Sequence, residues 1–222
     1  MQIPLINLLW MLIPVSIVIY FYIQITKDAK TPFLALFRMV IQLLLIGYLL
    51  VYIFNSKTPL IVGVVLFIML VFASIISLRP LEKKSFSLYK RAFFSISIGG
   101  LSTLFIVIFL VLKPKVFYEP KVVIPLAGMA FANAMNSLSI YVERFYASHK
   151  ENEAFKASLI PIINSFFAVG LVSLPGMMTG QILSGVDPLI AVRYQILVML
   201  MVLSSSGLSV IIFSKLNKGF KE

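Results

Sequence analysis

Residues 169–195 read VGLVSLPGMMTGQILSGVDPLIAVRYQ. The stretch is apolar enough to enter a bilayer, yet Pro175–Gly176 breaks it, Gln181 interrupts it, and Asp187 and Arg193 flank its outer part. Irregular or polar backbone at membrane depth persists only where protein buries it or where it lines a water-filled cavity. A lipid-facing anchor has no use for such a segment. It is therefore expected to belong to the working part of a polytopic membrane protein.

The surrounding composition agrees. Of 222 residues, 60% are apolar and only 12% are charged, more apolar surface than a water-soluble domain of this size could hide. The charges gather between long apolar runs, the pattern of a multi-span chain. These runs cover roughly 3–25, 39–54, 59–78, 92–112, 122–141, 158–185 and 188–213. The reading is an all-α bundle of about seven transmembrane helices in one domain over residues 1–222. The first run has neither a basic leader nor a small-residue cleavage site, so it reads as a retained helix.

Basic residues set the orientation. Lys27, Lys30, Arg38, Arg79, Lys83, Lys84, Lys90, Arg91, Arg144, Lys150, Lys156, Lys215, Lys218 and Lys221 fall on one side of this threading. Lys57, Lys113, Lys115, Lys121 and Arg193 fall on the other. Excess Lys and Arg stay in the cytoplasm, which puts the N-terminus outside and the C-terminus inside, in a plasma (inner) membrane. The net charge of +11 is thus a matter of membrane orientation. No basic face with interleaved aromatics offers itself to a nucleic acid.

The fifth run carries the first polar candidates. Met129, Asn133, Asn136 and Ser137 follow one another at helical spacing and are expected on one face. An amide facing lipid with its donors and acceptors unpaired costs roughly 2–7 kcal/mol, so Asn133 and Asn136 must face other helices or a pathway. Asn164 in the sixth run poses the same choice, between interhelical hydrogen bonding and a translocation path. Arg38 is expected to snorkel to the interface, one turn from Gln42. Gly176 and Gly180 are spaced for close helix approach. Met177 and Met178 suit either core packing or a soft cation. Asp187–Pro188 reads as an N-cap followed by proline at the first helical position, and Arg193 is placed to pair with Asp187, reach headgroups or line a vestibule.

Absences narrow the function. There are no cysteines and one histidine, His149, which excludes disulfides, thiolate metal sites and cysteine nucleophiles. No Asp or Glu falls near the middle of a predicted span, which disfavours proton coupling. No Walker-type loop is present, so any ATP-driven transport needs a nucleotide-binding partner. No nucleophile–base arrangement supports an intramembrane enzyme, and no catalytic residue is assigned.

RMVIQLLLIGYLL (38–50), VIPLAGMAFANAMN (123–136) and ASLIPIINSFFAVGLVSLPGMMTGQILSGVDPLIAVRYQILVM (157–199) resemble the FetB family from Arg38 onward. Those proteins are permease subunits of ABC transporters implicated in bacterial iron export; plant relatives are associated with aluminium tolerance. The resemblance implies a transmembrane permease domain that pairs with itself and with a separate cytosolic ABC ATPase, where ATP and magnesium bind; this chain would hold no cofactor. It implies a metal-ion substrate, whose path is expected at Met129, Asn133, Asn136, Asn164, Met178 and Gln181. Coupling to the ATPase is expected at Glu143, Arg144, Lys150 and Glu153. The chain departs from the family at Ala132, where members carry glycine, and between Phe145 and Ala157. There a longer charged loop with an LGAT-like turn is replaced by YASHKENEAFK (146–156). A permease relative uncoupled from any ATPase is the alternative that this shortening implies.

Overall fold

A computed structural model describes residues 4–55 and 58–218. Its contacts divide the chain into two compact units, Met1–Asn55 and Ser56–Glu222.

In the first unit a 3-10 turn, Leu5–Met11, runs into α1, Leu12–Thr26. The helix stops where Lys27 adopts the left-handed conformation (φ 57°) and returns its N–H to the Ile23 carbonyl at 2.9 Å. Asp28 then accepts from the Thr31 amide at 3.1 Å and starts α2, Lys30–Asn55. At 26 residues α2 is about 39 Å long, enough to cross a hydrocarbon core of about 30 Å. It begins well before the apolar run expected at 39–54, so Arg38 lies inside the helix and not at its start.

The second unit is a bundle. It comprises α3 (Pro59–Ser77), α4 (Phe86–Phe105), α5 (Pro120–Ser148), α6 (Glu151–Ala168), α7 (Gly176–Leu183) and α8 (Pro188–Lys218). α4 continues as a π-helical segment, Ile106–Leu112, closed by left-handed Lys113. α8 is the hub, packing on α4, α5, α6 and α7, while α5 also joins α3 and α4. Inside a bilayer helices associate through close van der Waals packing and interhelical hydrogen bonds, and the core shows both. A Cβ on Gly99 would stand 2.7 Å from the Ser209 nitrogen, and one on Gly100 would meet the Phe131 ring at 2.6 Å. The Ser205 hydroxyl donates to the Ala130 carbonyl at 3.2 Å, tying α8 to α5. Tyr141 packs edge-on to Phe213 at 6.2 Å, and both are fully buried.

Among the described residues no β-strand forms, and six helices are long and apolar enough to cross a membrane: Ile6–Thr26, Lys30–Asn55, Pro59–Ser77, Phe86–Leu112, Pro120–Ser148 and Pro188–Asn217. The chain is an all-α, multi-pass membrane protein. The run expected at 158–185 is not one span. α6 ends at Ala168, whose carbonyl accepts from the amides of Leu171, Val172 and Ser173 at 3.2, 2.8 and 3.1 Å. Gly170, at φ 81°, turns the chain so that its own N–H reaches the Ser173 carbonyl at 3.0 Å. After Pro175 the eight residues of α7 reach only about 12 Å.

Left-handed Gly185 (φ 90°) then closes α7. Val186 N–H bonds the Gln181 carbonyl and Gly185 N–H bonds that of Ile182, each at 3.0 Å, which is a Schellman closure. α8 starts as the sequence predicts: Asp187 Oδ1 accepts from Leu189 N–H at 2.8 Å, with Pro188 first in the helix.

Candidate functional site

α5 presents one open stripe. Pro125, Ala132, Asn136 and Glu143 are exposed, and Met129 and Asn133 are half-buried beside them. The opposite face, including Ala127, Ala130, Ala134, Leu138 and Val142, is buried in the bundle. Ser137 belongs to that buried face, 3% exposed, and so leaves the group expected from spacing. Consecutive residues on an α-helix are about 100° apart, which is enough to send Asn136 out and Ser137 in.

The two amides of the stripe differ. Asn133 donates from Nδ2 to the Met129 carbonyl one turn back, at 2.8 Å, so its own helix satisfies one of its donors. Asn136 stands exposed. Asn164 is exposed on α6, which packs against α5. The two helices are joined only by His149 and Lys150. Asn136 and Asn164 each lie about 18–20 Å along their helices from that turn. Asn136 lies well inside α5, where an exposed carboxamide is costly against hydrocarbon, so its face requires a polar or protein neighbour; Asn164 lies in the last turn of α6. Amide oxygens also suit hard cations. Among the described residues no group of three or more His, Asp or Glu could hold a metal ion.

The pair on α7 is set apart from these. Met178 and Gln181 both lie on α7 and are half-buried. Met178 lines a cavity of about 350 Å³ between α6, the 169–175 link, α7 and α8, and Gln181 Oε1 is buried without a hydrogen-bond partner. Gly176 and Gly180 meet nothing within 4 Å of an added Cβ, so their spacing does not mark a close helix contact within this chain. The close approaches fall at Gly99 and Gly100 instead. Arg193 is exposed, and the Asp187 carboxylate is used by the α8 amides.

Glu143, Arg144, Lys150 and Glu153, expected to couple to a partner, are all exposed around the α5–α6 turn. His149 ends α5 in the left-handed conformation and returns its N–H to the Phe145 carbonyl at 2.8 Å. Lys150 Nζ bridges to Glu153 Oε1 at 2.8 Å. That hydrogen bond, and the carboxylate charge behind it, raise the Lys150 pKa above the ordinary lysine value. Glu151 and Glu153 occupy the first turn of α6, where negative charge complements the helix dipole. Beside them a cleft of about 380 Å³ lies between α6 and the end of α8, where the Ser214 hydroxyl donates to Glu151. Arg91 Nη1 donates to Asn217 at 2.8 Å, joining α4 to α8 at the same end.

Two features escaped the sequence reading. Gln195 is 6% exposed in α8 and lines the α7 cavity; a lone glutamine inside an apolar run was the available signal. The Ser205–Ser209 segment against Gly99 was the other, and its signal was the density of small residues in two runs.

The family model described as "Uncharacterised protein family (UPF0014)" matches residues 4–154 and 149–220. The two pieces overlap at residues 149–154, across the α5–α6 turn and within the stretch expected to be a shortened loop. The chain is 35% identical over 197 residues to the UPF0014 membrane protein slr1647 of Synechocystis, covering 78% of this chain and 76% of that one. It is 34% identical to the "Probable iron export permease protein FetB" of Escherichia coli, covering 79% and 75%. It is 32% identical to the UPF0014 membrane protein YjkA of Bacillus subtilis, covering 84% and 82%. No solved structure gives a significant match.

Proposed function

The chain belongs to the UPF0014 family, and from that premise we propose that it is the membrane-spanning permease subunit of an ATP-binding-cassette exporter. Its substrate is a metal ion, iron foremost, moved out of the cytoplasm across the plasma (inner) membrane. A separate cytosolic ATPase binds ATP and magnesium and supplies the drive. This chain performs no chemistry of its own.

The observation that carries the reading is the exposure of two amides, Asn136 on α5 and Asn164 on the neighbouring α6. A homodimer in which this face meets its copy would shield both amides from lipid and set four amide oxygens around one path. Asn133 and Met129 would shape its wall. Met178 and Gln181, on the short α7, would form the far end. The relation to a protein named for iron export supports the choice of substrate. On the expected orientation, Glu143, Arg144, Lys150 and Glu153 face the cytoplasm, where the ATPase would engage the α5–α6 turn.

The two-residue link between α5 and α6 favours a second reading, a permease-like membrane interaction protein without an ATPase. Pull-down of ABC ATPases by the full chain, followed by hydrolysis assays in lipid, separates the two. Stimulated hydrolysis that Glu153→Lys and Arg144→Glu reduce supports the exporter. An ATPase that neither binds nor responds leaves the interaction protein as the function.

A further inference from the structure

The cavity behind α7 has chemistry that a cation path does not need. Its walls are apolar, built from Phe166, Leu174, Met178, Val192 and Met199, with Gln195 as the one polar side chain among the described residues. Gln195 is 6% exposed and its Oε1 has no hydrogen-bond partner. A buried carbonyl without a donor costs free energy that a ligand's donor would recover. In hydrocarbon no bulk water is at hand to supply one.

From this we infer that the cavity binds a neutral amphipath: an alkyl-chain molecule with a hydroxyl or amide donor directed at the Gln195 carboxamide. Three observations set the class. The volume of about 350 Å³ lies at the lower end of small-molecule pockets, which run from about 300 to 1,000 Å³. The described lining holds no ionisable side chain, so a charged group would enter unpaired. Leu174, Ile196 and Leu200 in the lining are exposed, so the cavity opens on apolar surface, the side from which a lipid-dissolved molecule arrives. The flexible thioethers of Met178 and Met199 let the walls adapt to chain shape. Ligand binding here would brace α7 against α8, and the site stands whether or not the chain proves to be a metal exporter.

Photolabelling of the full chain in nanodiscs tests the site, using a diazirine-bearing long-chain alcohol and the matching diazirine alkane. The alcohol is expected to label peptides within 166–200 about five- to tenfold more than the alkane, the worth of one hydrogen bond. Gln195→Leu should bring the alcohol down to the alkane level. Val192→Trp, which fills the cavity and leaves Gln195 in place, should lower labelling by both probes. Competition by a diacylglycerol would identify a bilayer lipid as the natural source, and competition by free alcohol alone a molecule from outside the bilayer. Equal labelling by the two probes in the wild type, or alcohol labelling unchanged in Gln195→Leu, would overturn the inference and leave only an apolar surface wetted by lipid.

Discussion

Replacing Gly99 by alanine tests how α4 and α8 are held together. The added methyl would lie 2.7 Å from the Ser209 backbone nitrogen and 3.1 Å from the Ser205 carbonyl oxygen. It would also collide with the Ser209 hydroxyl, which can rotate away; the backbone atoms cannot. Ordinary contact needs about 3.5 Å, so the two helices must part by about 0.5–1 Å along their main contact. A gap of that size forfeits roughly a quarter to a half of each affected dispersion contact, and inserting a methyl into a filled core costs about 1–3 kcal/mol. At about 2–4 °C per kcal/mol for a chain of this size, and with up to about 1 kcal/mol returned by alanine's helix propensity, Gly99→Ala should lower the melting temperature by up to about 12 °C. Gly207→Ala is the control. It lies in α8 with nothing within 4 Å of its added Cβ, and alanine's helix propensity favours it by up to about 1 kcal/mol. Thermal unfolding in detergent, read by loss of the monodisperse peak in size exclusion, compares the two. Gly99→Ala melting at or above the Gly207→Ala protein would refute the close approach of α4 and α8.

Asp187→Ala removes the acceptor of the first α8 amides and should cost about 1 kcal/mol, while Asp187→Asn should retain most of the stability, both measured by thermal unfolding. Lys150 has its pKa raised by the hydrogen bond and charge of Glu153. The contribution of that pair is therefore complete below the ordinary lysine value and is lost as pH rises through the elevated one. At mildly alkaline pH, acylation of Lys150 followed by mass spectrometry should be slower in the wild type than in Glu153→Gln; equal rates would remove the pair from the account.

Much of the fold can be read from hydropathy, and the failures have physical causes. Long apolar runs mark bilayer-crossing segments because hydrocarbon tolerates little else, and Asp187–Pro188 announces a helix start through local chemistry alone. Hydropathy is blind to a turn made of apolar residues. Val169 to Leu174 are as greasy as a helix, and only the triple acceptance by the Ala168 carbonyl and the positive φ of Gly170 show that the helix has ended. It also misses polar helix ends, so α5 extends to Ser148, beyond the expected run.

Spacing says which residues share a face but not what that face meets. Hence Gly176–Gly180 looked like a contact and Gly99–Gly100 are one. The amides of α5 were legible as costly in lipid; that Asn136 is open and Asn133 bonds its own helix depends on packing. Gln195 carried no local signal beyond its polarity, because an orphaned carbonyl exists only relative to its neighbours.

ATP-driven export of a metal ion through the face bearing Asn136 would be visible as flux. The full chain would be reconstituted in proteoliposomes with the ATPase it binds, and movement of ferrous iron followed with ATP supplied on the ATPase side. Iron is expected to move away from that side only with hydrolysis, at a rate that falls at least about tenfold in Asn136→Leu, a loss of about 1.4 kcal/mol of transition-state stabilisation, with dimer assembly intact. ATP-independent flux, or full transport in Asn136→Leu, would rule out export through that face.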